Sequence, residues 1–115
     1  MSGLLKSFGY AWQGILHGLR SQRNFRIHII VTVGVILAGL WLRLMATEWA
    51  IIAVTIGLVL QAELFNTALE AIVDKTTPEI HPLAKIAKDC AAGAVFVAAI
   101  LAVVVGLFIF VPKLI

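Results

Sequence analysis

The sequence predicts an all-α integral membrane protein, with an N-terminal amphipathic helix on the membrane surface and three transmembrane helices, forming one unit over residues 1–115. Three observations predict it. The chain is 62% hydrophobic with a mean hydropathy of +1.06, and a small domain leaves too much surface to water to bury that much apolar side chain. Apolar stretches long enough to cross a bilayer recur along it. Most of the Lys and Arg residues gather in the segments between those stretches.

The surface helix covers about residues 4–22. Leu4, Leu5, Phe8, Trp12, Ile15, Leu16 and Leu19 recur at three- and four-residue spacing, while Lys6, Gln13, His17 and Arg20 lie off that stripe. A basic amphipathic helix of this kind belongs in the membrane interface. No sustained apolar core and no small-residue cleavage site precede the basic cluster, so the segment is not read as a cleavable signal. After Arg20, Arg23 and Arg26, the first span covers about residues 26–42 and is apolar except for His28 and Thr32. Phe25 and Trp41 extend it by sitting at the two interfaces. The second span, about 49–73, begins at Trp49 and carries polar groups in its second half. Residues 74–88 hold Lys75, Pro78, His81, Pro82 and Lys85 and are expected to form a polar loop. The third span, about 90–111, contains no charge and is expected to stop at Pro112-Lys113.

Lys6, Arg20, Arg23, Arg26, Lys75, Lys85 and Lys88 fall on one side of this arrangement, and only Arg43 and Lys113 on the other. The N-terminus and the 74–88 loop are therefore expected in the cytoplasm and the C-terminus outside. The net charge of +3, without a basic face, gives no reason to expect nucleic acid as a partner. Cys90 is the single cysteine, which excludes an internal disulfide; a small packing residue at a helix start is the expected role.

Within the second span the chain reads E-L-F-N-T-A-L-E-A-I-V-D. Glu63, Asn66, Glu70 and Asp74 lie at i, i+3, i+7 and i+11, one narrow stripe on a helix, with Thr67 beside it. The stripe extends roughly 16 Å along the axis, from the water interface into the bilayer. Ionisable groups in hydrocarbon are functional candidates by default, and a row of hard oxygen donors suits a divalent cation and a phosphate. There is no G-x-x-x-x-G-K-[ST], no dinucleotide fingerprint, no zinc spacing and no nucleophile elbow. Phosphoryl transfer needs only a metal, a cation on the phosphate and a group to orient the attacking hydroxyl. Glu70 and Asn66 can hold the metal and Lys88 can neutralise phosphate charge. Glu63 lies deepest, where a lipid hydroxyl would arrive, and suits a general base. Polar helix packing or interfacial snorkelling is the alternative for each residue, and for Asp74, Glu79 and Lys85 it is as good a reading. An oligomeric ion or proton conductor lined by Glu63 and Glu70 is a further alternative, but Trp49–Leu60 offers almost no polar group to continue a path.

The same stripe, followed by H-P-L-A-K-I-A-K-D-C-A-A-G-A-V at His81–Val95, resembles the small prokaryotic diacylglycerol kinase and undecaprenol kinase family. The likeness extends through R-N-F-R-I-H at Arg23–His28 and Glu48-Trp49, nearly the whole chain. It is similar to the Gram-positive undecaprenol kinase branch, since the diacylglycerol kinase branch tends to have Gly-Ser where Ala91-Ala92 stand here. The resemblance implies a homotrimer of three-span protomers in the bacterial cytoplasmic membrane, with active sites shared between neighbouring chains, using ATP and Mg²⁺. It implies transfer of the γ-phosphate to the hydroxyl of undecaprenol, or alternatively of diacylglycerol to give phosphatidic acid. By position, Glu63 matches the catalytic base and Asn66 and Glu70 the metal and phosphate ligands. Asp74, Lys88 and Asp89 match nucleotide-site residues, with Glu79 and Lys85 counted beside them, and Tyr10 matches a nucleotide-contacting aromatic. One position departs: the family commonly has a glutamate, a second metal ligand, where Gln22 stands. An amide oxygen can bind Mg²⁺ but brings no charge, so metal affinity should be weaker. His28, His81 and Thr67 are assigned no functional role, and His28 is expected to be satisfied by a neighbouring helix near the interface.

Overall fold

A computed structural model of the chain describes residues 2–77 and 79–115. It is all-helical: α1 (Ser2–Ser21), α2 (Arg23–Leu42), α3 (Ala46–Thr76) and α4 (Pro82–Leu114). The last three are each long and apolar enough to cross a membrane. They run alternately up and down, so the start of α2, the end of α3 and the start of α4 share one end of the molecule.

Tight joints hold this arrangement. Only Gln22 interrupts the helical backbone between α1 and α2, and it takes an extended conformation. Arg26 Nη1 donates to the carbonyls of Leu19 and Arg20 at 3.0 and 3.1 Å, satisfying acceptors that the end of α1 would otherwise leave open. Gly18 is buried there, and a Cβ on it would sit 3.2 Å from Leu64 of α3. The first half of α1 stands away from the bundle: Leu4, Leu5, Phe8 and Trp12 are all exposed, while Ile15, Leu16 and Leu19 of the second half are partly covered. That is the behaviour expected of a helix whose apolar stripe meets lipid rather than protein.

At the opposite end α2 closes with Arg43 in the left-handed region (φ 57°, ψ 61°), and the Leu44 N–H donates to the Gly39 carbonyl at 3.1 Å. Glu48 accepts from the Met45 N–H at 2.9 Å and pairs with Lys113 at 3.0 Å, tying the start of α3 to the end of α4. A small core of Leu44, Ile52 and Ile109, with Trp49 and Phe110 against it, fills the space between. Outside it the helices present large apolar side chains outward, among them Ile30, Leu40, Val54, Phe96 and Phe108. Hydrocarbon, not water, is the solvent for such faces.

Three expectations are corrected. The polar loop over residues 74–88 shrinks to 77–81, because α3 continues to Thr76 and α4 begins at Pro82. Pro82 is pre-set for a first helical turn, and His81 caps it, its Nδ1 accepting from the Leu83 N–H at 3.1 Å. Cys90 consequently lies in the third turn of α4, exposed, and not at a helix start. Pro112 does not end α4 either, since within the last turn its missing N–H removes a single backbone bond. Pro78, expected in the connector, lies outside the described residues.

Gly39 is required where α2 meets α3, since a Cβ there would fall 2.6 Å from Trp49 Cη2 and 2.9 Å from Leu44 Cδ1. Gly39→Ala should destabilise the fold by about 1–3 kcal/mol, read as a lower thermal unfolding midpoint in detergent.

Candidate active site

The polar residues of α3 occupy one face, and the structure places them in two connected zones. Toward the bilayer interior, Glu63 is only 2% exposed. Its Oε1 lies 3.1 Å from His28 Nε2 on α2, yet forms no aligned hydrogen bond with any group among the described residues. One turn further, Asn66 Nδ2 donates to Glu70 Oε1 at 3.3 Å, leaving Asn66 Oδ1 enclosed and without a partner. Two buried oxygens without aligned donors lie within a turn of each other. Thr67 donates its hydroxyl to the Glu63 carbonyl at 2.9 Å and is satisfied within its own helix.

Toward the connector the stripe opens into a cleft between the end of α3 and the start of α4. Asp74, Glu79, His81, Lys85, Lys88 and Asp89 line it. Five of these were singled out from the sequence; His81 is the addition, and its ring is occupied in capping α4. Lys88 bridges to Asp74 at 2.7 Å, and Lys85 to Asp89 at 2.6 Å. Both pairs are open to water, where ion pairs contribute little. An arriving phosphate can therefore displace either carboxylate from its ammonium at small cost.

Asn66 also borders an apolar groove between α3 and α4, with Phe65, Leu69, Ala91, Ala94 and Leu101 along it. Ala91 contributes directly to that groove, while Ala92 is exposed beside it. The structure does not bring every candidate residue together within one chain. Tyr10 is 69% exposed on α1 and forms no hydrogen bond with the other candidates among the described residues. Gln22 is half-buried at the α1–α2 joint, and its side chain makes no hydrogen bond to the stripe.

The donor set is all oxygen, with an enclosed amide oxygen beside a carboxylate, and so fits a hard divalent cation such as Mg²⁺. No group of three or more His, Cys, Asp or Glu side chains gathers around one point among the described residues. A cation held by Asn66 and Glu70 would thus keep positions for phosphate or water oxygens, as Mg²⁺ commonly does. The first half of α3 holds no continuation of the stripe: Thr55 donates to the Ile51 carbonyl at 2.7 Å and offers nothing to a permeating ion.

Fold and site together define a multi-pass membrane protein whose charged chemistry sits at one end of its spans. The description of prokaryotic diacylglycerol kinases matches residues 9–110, and the chain belongs to that family. It is 54% identical over 112 residues to a diacylglycerol kinase of Synechocystis, covering 96% of this chain and 64% of that relative. It is 45% identical over 114 residues to the undecaprenol kinase of Bacillus subtilis, covering 99% and 93% respectively. To the diacylglycerol kinase of Escherichia coli K12 it is 31% identical over 101 residues, covering 88% and 83%. The chain is thus a member of a lipid kinase family, one that takes phosphate from a nucleotide donor and acts on lipids in the membrane. Relatives named for both lipids lie at comparable identity, so the identities do not choose between them.

His28 was missed in the sequence as a partner of Glu63. The available signal was an ionisable side chain inside an otherwise apolar span; periodicity along one helix could not say which residue of another helix it meets.

A buried oxygen without a donor is a cost to the fold. Asn66→Leu should therefore leave thermal stability unchanged or raise it by about 1–2 kcal/mol, as measured by thermal unfolding of the purified protein in detergent.

Proposed function

We propose that this protein transfers the γ-phosphate of ATP to the terminal hydroxyl of undecaprenol, giving undecaprenyl phosphate. The observation that carries the reading is the continuity of the α3 face: a buried carboxylate, then an amide–carboxylate pair, then a cleft of alternating charge at the connector. A lipid hydroxyl approaches such a face from hydrocarbon and a nucleotide from water, and the two meet near Asn66 and Glu70.

In this reading Glu63 accepts the proton of the lipid hydroxyl as its oxygen bonds to the γ-phosphorus, while the bond from that phosphorus to the β-phosphate oxygen breaks and ADP leaves. Asn66 and Glu70, with Gln22 offering at most an uncharged amide, would hold Mg²⁺, which when bound offsets the negative charge of the phosphates. Lys88 and Lys85 exchange Asp74 and Asp89 for phosphate oxygens, and the freed carboxylates and Glu79 orient the rest of the nucleotide. Tyr10 reaches nucleotide from α1 only across a boundary between chains, which fits a homotrimer with shared sites. Its exposure and the outward apolar faces of the spans support that assembly. The whole chain acts as one membrane-embedded unit in the bacterial cytoplasmic membrane. The end bearing Arg20, Arg23, Arg26, Lys75, Lys85 and Lys88 faces the cytoplasm, where ATP is available.

Diacylglycerol is the second acceptor to consider, since the Synechocystis relative is named for it. Undecaprenol is preferred on the Ala91-Ala92 pair and the match along 93% of the Bacillus undecaprenol kinase. Purified protein in a lipid mimic, given labelled ATP and Mg²⁺ with each lipid separately, should label undecaprenol preferentially. Preferential labelling of diacylglycerol would overturn the substrate but keep the site, and labelling of neither by folded protein would overturn the kinase reading.

Two variants follow from the assigned roles. Glu63→Gln should lower kcat by roughly 10²–10⁴-fold with the oligomer intact on size-exclusion chromatography. Lys88→Met should raise the KM for ATP by roughly tenfold or more, leaving the KM for the lipid unchanged.

A further inference from the structure

We propose that His28 is the positioning residue for Glu63: its imidazole, presented from α2, holds the Glu63 carboxylate by Oε1 and leaves the other oxygen for the acceptor hydroxyl. The proposal rests on the reading of Glu63 as the base and extends it to a second helix.

The contact is cross-helix and deep. His28 Nε2 lies 3.1 Å from Oε1, with the two side chains 23% and 3% exposed. No other basic side chain lies within ion-pair distance of Glu63 among the described residues. Arg26, two residues before His28 on α2, is engaged with the carbonyls of Leu19 and Arg20. Lys88 and Lys85 are held by Asp74 and Asp89. Oε1 is thus an enclosed carboxylate oxygen, and among the described residues this imidazole is the basic group within ion-pair distance of it.

The imidazole is itself well placed to fix a rotamer. His28 follows Phe25 by three residues, so both lie on the same side of α2. Phe25 is 1% exposed and packs beside Gly18, which anchors that turn of α2 against α1 and α3. Glu63 has three side-chain torsions, and a base acts only within hydrogen-bond reach of its proton. In hydrocarbon there is no water to orient the carboxylate, so a fixed donor on one oxygen sets the direction of the other. The Oε1 contact is close but not aligned, and a small ring rotation completes it as a substrate is seated.

The test uses side chains that differ in reach. The amide nitrogen of Gln falls near the position of imidazole Nε2, whereas that of Asn falls near Nδ1. His28→Gln should retain kcat to within about threefold, and His28→Asn should lose roughly tenfold to hundredfold. The KM values for ATP and lipid should stay within about twofold in both, with each variant eluting as the native oligomer. Equal loss in the two, or no loss in either, would overturn the proposal, because packing alone does not distinguish where an amide nitrogen reaches. Should His28→Asn fail to assemble, a loss beyond about tenfold in intact His28→Gln overturns it. Glu63→Gln, assayed alongside, tests the base reading separately. If that variant keeps turnover, the base reading falls and the positioning role with it; if it loses turnover while His28→Gln and His28→Asn behave alike, the positioning role alone is overturned.

Discussion

The cost of holding a carboxylate in hydrocarbon governs how this chain is arranged. Insertion scales put a charged side chain at the centre of a span at about 3 kcal/mol, and a long apolar helix gives it no water to recover that loss. Glu63 nonetheless lies on α3 with almost no exposed surface. Everything polar around it follows from containing this expense. His28 comes to it from α2, Asn66 and Glu70 continue its face toward water, and the charges past Asp74 lie where the spans end. The opposite end is closed by Glu48 and Lys113, which satisfy each other and ask nothing of a ligand.

The two ends therefore differ in kind. At the Glu48 end, backbone and side-chain partners are matched within the chain, and Gly39 lets Trp49 pack close. At the connector end, oxygens are left without donors and ion pairs stand open to water. The Glu48 end is closed by its own contacts, and the connector end is the less self-satisfied of the two, as functional sites commonly are.

Much of this was legible in the sequence. The spans appear as apolar runs, and the stripe of Glu63, Asn66, Glu70 and Asp74 emerges from helical spacing alone, because residues three and four apart share a face whatever the tertiary structure. The cleft residues Lys85, Lys88 and Asp89 were recognisable as charges flanking the last span. Legibility failed across elements. That His28 meets Glu63 depends on the register between α2 and α3, which depends in turn on the three-residue turn at Arg43–Met45 and on Gly39. The connector was read as a loop because its prolines and charges outweighed the capping role of His81, a local hydrogen bond that composition does not reveal. Arg26 looked like one more interfacial charge, although its guanidinium closes α1.

The proposed reading requires nucleotide to be received at the connector end of the molecule, between the end of α3, the start of α4 and Tyr10 of a neighbouring chain, and not at the opposite end. Photo-crosslinking with an azido analogue of ATP and Mg²⁺, in protein reconstituted in lipid, followed by mapping of the labelled peptides, tests it most directly. The account predicts label within residues 74–89, or on the α1 peptide bearing Tyr10, competed away by unlabelled ATP. Label at the Arg43–Glu48 turn or beside Lys113, competed in the same way, would contradict it.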